Sequence, residues 1–181
     1  FDDLGNKTVK NISRPVRVWQ WRTGDVSGVV SEESSRWGPE DQDVRFCTSP
    51  DGVQIAYALV GSGPPLVKAP NWMSHLEYDW KSPVWRHLMQ ELASDRTLIR
   101  FDQRGNGLSD RQVDDISFDR FVQDLETVVD AVGLDRFPLL GISQGCPISV
   151  AYAVRNPDRV SALVLYGGYS RGRKRVGSEA E

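Results

Sequence analysis

From residue 44 onward, short apolar runs alternate with amphipathic segments, and this alternation limits the possible folds more than any other property of the chain. Residues 44–48 and 53–60 read as strands around the tight turn Ser49-Pro50-Asp51-Gly52, so the series begins with a hairpin. Residues 65–69, 97–101, 137–142 and 162–166 follow as short apolar strands. Between them, residues 83–93, 117–132 and 144–155 read as helices. The second of these is the clearest: Phe118, Phe121, Leu125, Val128, Val129 and Val132 form one stripe, with Ser117 at the cap position. A hairpin followed by strands alternating with helices predicts an α/β protein. Its sheet should be mostly parallel, with helices on both faces and right-handed crossovers.

In sheets of this kind, sites form beyond the carboxyl ends of the strands. At one such end stands Gly141-Ile142-Ser143-Gln144-Gly145, led into by the run Phe137-Pro138-Leu139-Leu140. This G-x-S-x-G pattern puts a serine on a sharp turn between a buried strand and a helix, with Gly141 and Gly145 allowing close backbone packing. By composition alone, three fixed positions match in about one chain of this size in twenty, so the strand before the serine and the helix after it carry the argument.

Length and composition narrow the alternatives. A chain of 181 residues can bury a core, and 39% hydrophobic with 26% charged residues describes a globular protein. The net charge of −3 gives no reason to expect nucleic-acid binding. Apolar runs are too short to span a bilayer, and no charged segment precedes an apolar leader, so no membrane association is expected and the cytoplasm is the default compartment. Cys47 and Cys146 are too few for a disulfide framework or a zinc site and read as buried free thiols; no cofactor or metal is expected. Residues 23–43 are rich in Gly, Ser and acidic side chains and read as a linker. It separates residues 1–22, where Val16–Gln20 alternates as an edge strand does, from residues 44–181.

Residues 44–170 resemble the α/β-hydrolase superfamily. The resemblance rests on the elbow around Ser143 in its strand-to-helix context, and on the loop after residues 65–69. It rests also on Asp102-Gln103-Arg104-Gly105-Asn106-Gly107-Leu108-Ser109-Asp110, similar to the D-x-R-G-x-G-x-S-D stretch of many such hydrolases. It implies an α/β-hydrolase fold truncated after about the sixth strand, with Ser143 as nucleophile. The Gln144 N–H would be the first oxyanion donor. The second would come from Pro70-Asn71-Trp72, which stands where many members have His-Gly-x, making the Trp72 N–H the candidate. The chain departs from the pattern there, because Pro70 has no N–H and Asn71 lacks the freedom of glycine. Asp102, Arg104, Gly105 and Gly107 are implied as a structural turn. Residues 1–22 are similar to the C-terminal tail of class III adenylate/guanylate cyclase domains; the other reading is a strand that pads the hydrolase core.

A serine nucleophile needs a base and a carboxylate to activate it. The family's base follows its last strand, so neither His75, in the loop with Trp72, nor His87, in a helix, is the expected base. After Gly168 only the acids Glu179 and Glu181 remain, in a polar tail. Trp72, Trp80 and Trp85 either shape an apolar pocket mouth or pack the core and lid. The basic run at 171–175 reads as solvated surface. The expected activity is therefore that of part of a serine hydrolase acting on a small-molecule ester or acyl bond, with base and acid supplied beyond the chain. The other reading is a ligand-sensing module, without turnover, covalently linked to a cyclase-like domain. Dehalogenase chemistry is disfavoured, since such enzymes carry aspartate where Ser143 stands.

Overall fold

Strands with apolar side chains on both faces must be covered on both faces, and the observed architecture follows from that requirement. The computed structural model describes residues 2–7, 16–20 and 37–169. The chain divides into two units, Phe1–Ser35 and Arg36–Glu181. In the first, β1 (Asp2–Lys7) pairs antiparallel with β2 (Val16–Gln20). The alternation at 16–20 anticipates β2. It does not anticipate β1, whose polar sequence lacks that alternation and whose register shifts between Asp3 and Asn6. Residues 8–15, most of the 23–43 linker and the basic run at 171–175 lie outside the described residues.

In the second unit, six strands form one sheet: β3 (Asp43–Thr48), β4 (Gln54–Val60), β5 (Pro65–Lys68), β6 (Thr97–Phe101), β7 (Phe137–Ile142) and β8 (Val160–Tyr166). Their spatial order is β3-β4-β6-β5-β7-β8. The hairpin β3–β4 and the β4–β6 pair are antiparallel, while β6, β5, β7 and β8 run parallel. The mostly parallel α/β sheet expected from the alternation is what forms.

Among the described residues, four α-helices flank the sheet: α1 (Tyr78–Lys81), α2 (Arg86–Ala93), α3 (Phe118–Val132) and α4 (Gly145–Arg155). Successive strand residues point to opposite faces, and this sorts the core into two layers. Val67, Ile99 and Leu139 meet Val122, Leu125, Val128 and Val129 of α3 and Ile148 and Tyr152 of α4. Their neighbours Leu66, Leu98 and Leu140 meet Trp80 of α1 and Met89 and Ala93 of α2. Each buried Val, Leu, Ile or Met side chain among them contributes about 1.5–3 kcal/mol relative to exposure.

Three local expectations are corrected. The helix read at 83–93 begins only at Arg86, because the Ser82 hydroxyl accepts the N–H groups of Val84 and Trp85 and turns the chain there. The short α1 was not foreseen: four residues are too few to show a period. Ser117 occupies the cap position of α3 without a side-chain cap; the Asp115 carboxylate instead accepts the Ser117 N–H at 2.8 Å. Of the two free thiols, Cys146 is buried and Cys47 only half-buried.

Candidate active site

Parallel strands end on one side of the sheet, and the chain must reverse direction there to enter α4. Ser143 makes that reversal, with φ at +52°, a left-handed conformation that glycine adopts readily and other residues seldom do. Such a residue costs about 1–3 kcal/mol and persists only where its surroundings hold it. Here the Ser143 N–H donates to the Tyr166 carbonyl at 2.9 Å, and its own carbonyl accepts the Cys146 N–H at 3.0 Å. The flanking glycines are needed for space. A methyl group at Gly141 would stand 2.8 Å from the Cys146 Cα and the Gly145 carbonyl, and one at Gly145 would stand 3.0 Å from the Pro70 carbonyl. The turn thus packs directly against the loop after β5, and the Ser143 side chain is left exposed.

An oxyanion formed at Ser143 would lie at the N-terminal end of α4, where the helix dipole and unpaired N–H groups favour negative charge. The backbone N–H groups of Gln144 and Trp72 make no hydrogen bond among the described residues. Both residues line one cleft of about 350 Å³, together with Gln103, Asn106, Ile116 and Phe121. Ser143 is not itself among the lining residues, but the next residue, Gln144, is, and its side-chain amide donates to the Gln103 side-chain oxygen at 3.4 Å. A larger hollow of about 760 Å³, lined by Cys146, Pro147, Val150, Leu165 and Tyr169, holds none of the predicted site residues. The three tryptophans part company: Trp72 is 68% exposed at the cleft, whereas Trp80 is buried in the α2 layer and Trp85 packs beside it.

His75 accepts the N–H groups of Glu77 and Tyr78 on its Nδ1, at 3.2 and 3.4 Å, and stacks on the Tyr78 ring. This arrangement shapes the start of α1. His87 lies exposed on α2.

The turn after β6 is built from two buried charges with different partners. Arg104 is wholly buried and forms a bidentate pair with Asp124, Nε and Nη2 each donating at 2.7 Å. Its Nη1 donates to Asp51 at 2.7 Å and to the Asp115 carbonyl at 3.0 Å. The guanidinium hydrogen bond holds the Asp51 carboxyl down to about 2. Asp102 accepts the N–H groups of Leu76 and Leu108 on Oδ2, while its buried Oδ1 has no partner. Burial raises its pKa, and those two hydrogen bonds oppose the rise. Gly107, at φ +56°, lets the backbone pass this carboxylate: a methyl group there would stand 2.0 Å from Asp102 Oδ2. Gly105, also at positive φ, lines the cleft.

One cluster was not foreseen. Lys68 and Arg100 occupy paired positions on β5 and β6, on the α2 face, and both are buried. Lys68 Nζ donates to the Asn71 side-chain oxygen at 2.7 Å and lies 5.9 Å from the Trp85 ring. Arg100 donates to Asp79 at 2.7 Å and to the His75 carbonyl at 3.4 Å, beside the Trp80 ring. Burial lowers the Lys68 ammonium to about 7; the neighbouring Arg100 charge adds to this, while Asp79 and Asp102 oppose it. The signal was a cation at the last strand position of each of two otherwise apolar, core-facing parities (Leu66 then Lys68, Leu98 then Arg100), and it acquires meaning only once the strands are paired.

Among the described residues, no group of three or more His, Cys, Asp or Glu side chains is placed to hold a metal ion. No helix among them is long and apolar enough to cross a membrane.

Comparison with known proteins bears on the fold. The chain is 40% identical over 84 residues to the 2-hydroxymuconate semialdehyde hydrolase of Pseudomonas sp. (strain CF600), a match covering 46% of this chain and 30% of that protein. It is 37% identical over 79 residues to a proline iminopeptidase of Heyndrickxia coagulans, covering 42% and 27%. The chain therefore spans about a third of the length of these curated relatives. Among solved structures, an esterase from Rhodococcus sp. ECU1013 superposes with a TM-score of 0.62 at 29% identity, covering 72% of this chain and 48% of the esterase. A hydrolase from Pseudomonas aeruginosa PA01 does so with a TM-score of 0.64 at 25% identity, covering 76% and 51%. Residues 74–175, more than half of the chain, match the family described as the alpha/beta hydrolase fold, and the chain belongs to that family.

Proposed function

We propose that this chain is the N-terminal part of a serine hydrolase acting on a small-molecule ester or related acyl bond. The observation that carries the reading is Ser143 itself: exposed, at the carboxyl end of β7, held at positive φ between two tightly packed glycines, of which Gly141 leaves no room for a side chain. In this reading the Ser143 hydroxyl attacks the substrate carbonyl and its proton passes to a histidine carried outside residues 1–181. The developing oxyanion is met by the Gln144 and Trp72 N–H groups, and the leaving alcohol or amine departs with the proton returned by the histidine; water then hydrolyses the acyl-serine to the free acid and restores the serine. The apolar Trp72, Ile116 and Phe121 suit an apolar acyl or leaving group, with the Gln103–Gln144 amide pair at the polar end of the cleft.

The test uses a protein that carries these residues within a complete hydrolase domain. A fluorophosphonate probe is expected to label Ser143, and Ser143→Ala to abolish both labelling and ester hydrolysis. Absence of labelling in the folded protein would sink the enzymatic reading and favour a ligand-sensing module.

A further inference from the structure

Lys68 is out of place for packing alone. It is 3% exposed, on a strand parity shared with the core residue Leu66, where an aliphatic side chain would satisfy the interior without the cost of a buried ammonium. Breaks of this kind between local pattern and local environment concentrate at functional sites. What Lys68 touches says which function. Its Nζ donates at 2.7 Å to the side-chain oxygen of Asn71, itself 7% exposed, and the Asn71 amide points on toward the Trp72 carbonyl at 3.5 Å. Asn71 stands immediately before Trp72, so Lys68 grips the residue next to the N–H at the cleft.

The tether is the first of several. Arg100 donates to the His75 carbonyl and to Asp79, Asp102 accepts the Leu76 N–H, and the Ser74 hydroxyl accepts the Gln103 N–H. Buried polar groups at the ends of β5 and β6 thus hold the following loop at successive points from Asn71 to Asp79, and Lys68 holds the point beside the cleft.

We infer that Lys68 is a positioning residue: by gripping Asn71 it fixes the loop that presents the Trp72 N–H to the oxyanion. The inference rests on the reading of Ser143 as nucleophile. It concerns the transition state only, because a carbonyl oxygen gains negative charge as the serine attacks, and so the tether should govern kcat rather than substrate binding.

The experiment compares Lys68→Met, Asn71→Ala and the double variant in a protein with a complete hydrolase domain, using a chromogenic acetate ester. Outright loss of an oxyanion donor costs about 100- to 1,000-fold in kcat, and a loosened donor should cost less, about 10- to 100-fold. Each single variant is expected to lose kcat in that range with KM within about twofold. The double variant should be no worse than the poorer single, as members of one tether are not additive. The backbone order parameter at Trp72, from ¹⁵N relaxation, should fall from about 0.85 toward 0.6 in each variant. Unchanged kcat in either single variant, losses that multiply in the double, or an unchanged order parameter at Trp72 would each overturn the inference. If Lys68→Met does not fold, Asn71→Ala, on the loop, decides it. Retention of hydrolysis by Ser143→Ala would mark failure of the nucleophile reading instead, and the Trp72 order parameter would still decide whether Lys68 holds the loop.

Discussion

Two groups of buried charges stand at the end of β6, two to four residues apart in sequence, and they are organised in opposite ways. Around Arg104, one guanidinium meets the Asp124 and Asp51 carboxylates, the Asp115 carbonyl and the Ser49 hydroxyl, so every donor direction is used. Around Arg100, the pairing is incomplete: Arg100 Nη1, Trp80 Nε1 and Asp102 Oδ1 are buried without a partner, and Lys68 has Asn71, a neutral group, as its hydrogen-bond acceptor. The first group ties the β3–β4 turn to α3. The second ties strand ends to the loop beside the cleft. A fully paired cluster gains in rigidity what it loses in desolvation, whereas an under-paired one stays costly and persists where another demand keeps it. The difference separates a brace from a site support.

The comparison can be broken at four points. Asp124→Asn removes the bidentate partner of a wholly buried guanidinium and is expected to destabilise by about 3–5 kcal/mol in denaturant unfolding; a loss below about 1 kcal/mol would mean the closed cluster braces nothing. Gly107→Ala forces a methyl group against Asp102 at a left-handed φ, and a loss of about 2–3 kcal/mol is expected in the same assay. Asp51→Asn should cost about 1–2 kcal/mol at pH 7. Because the folded Asp51 carboxyl is held down to about 2, its contribution is present above the ordinary carboxylate range near 4. That contribution fades as pH falls from about 4 toward 2, so wild type and variant should converge in acid melts, and parallel curves would contradict the assignment.

The effect that is smallest near pH 6 concerns Lys68. Its folded pKa, near 7, lies below the unfolded value near 10.4, so between these pH values the unfolded chain binds the extra proton. Folding is penalised by the charged lysine below about pH 7, and the penalty is relieved as pH rises toward 10. Lys68→Met should therefore be within about 1 kcal/mol of wild type at pH 6 and fall progressively behind it by pH 9.5, since the neutral amine still donates to Asn71. A difference that shrinks with pH would show that Lys68 is not held in its buried position.

Much of the frame was legible because it is written locally. The stripe from Phe118 to Val132 has one helical period, β7 is apolar along its length, and G-x-S-x-G sits between a strand and a helix. Each of these needs only neighbours within a few residues. The pairs that decide the charges are long-range: Arg104 lies 53 residues from Asp51 and 20 from Asp124, and Arg100 lies 21 from Asp79. Asp102 and Arg104 could be read as a structural turn from resemblance, yet their different electrostatic fates could not. The same holds for Trp72, Trp80 and Trp85, identical residues whose exposure the chain order does not distinguish.

By itself, then, the amino-acid order determined the class of fold, the strand that delivers Ser143 and the glycines that let it turn, because periodicity and steric permission are properties of short segments. Only the tertiary structure decided that Lys68 would be buried facing Arg100. That outcome depends on the register between two parallel strands joined through α2, and register is set by the packing of the whole sheet.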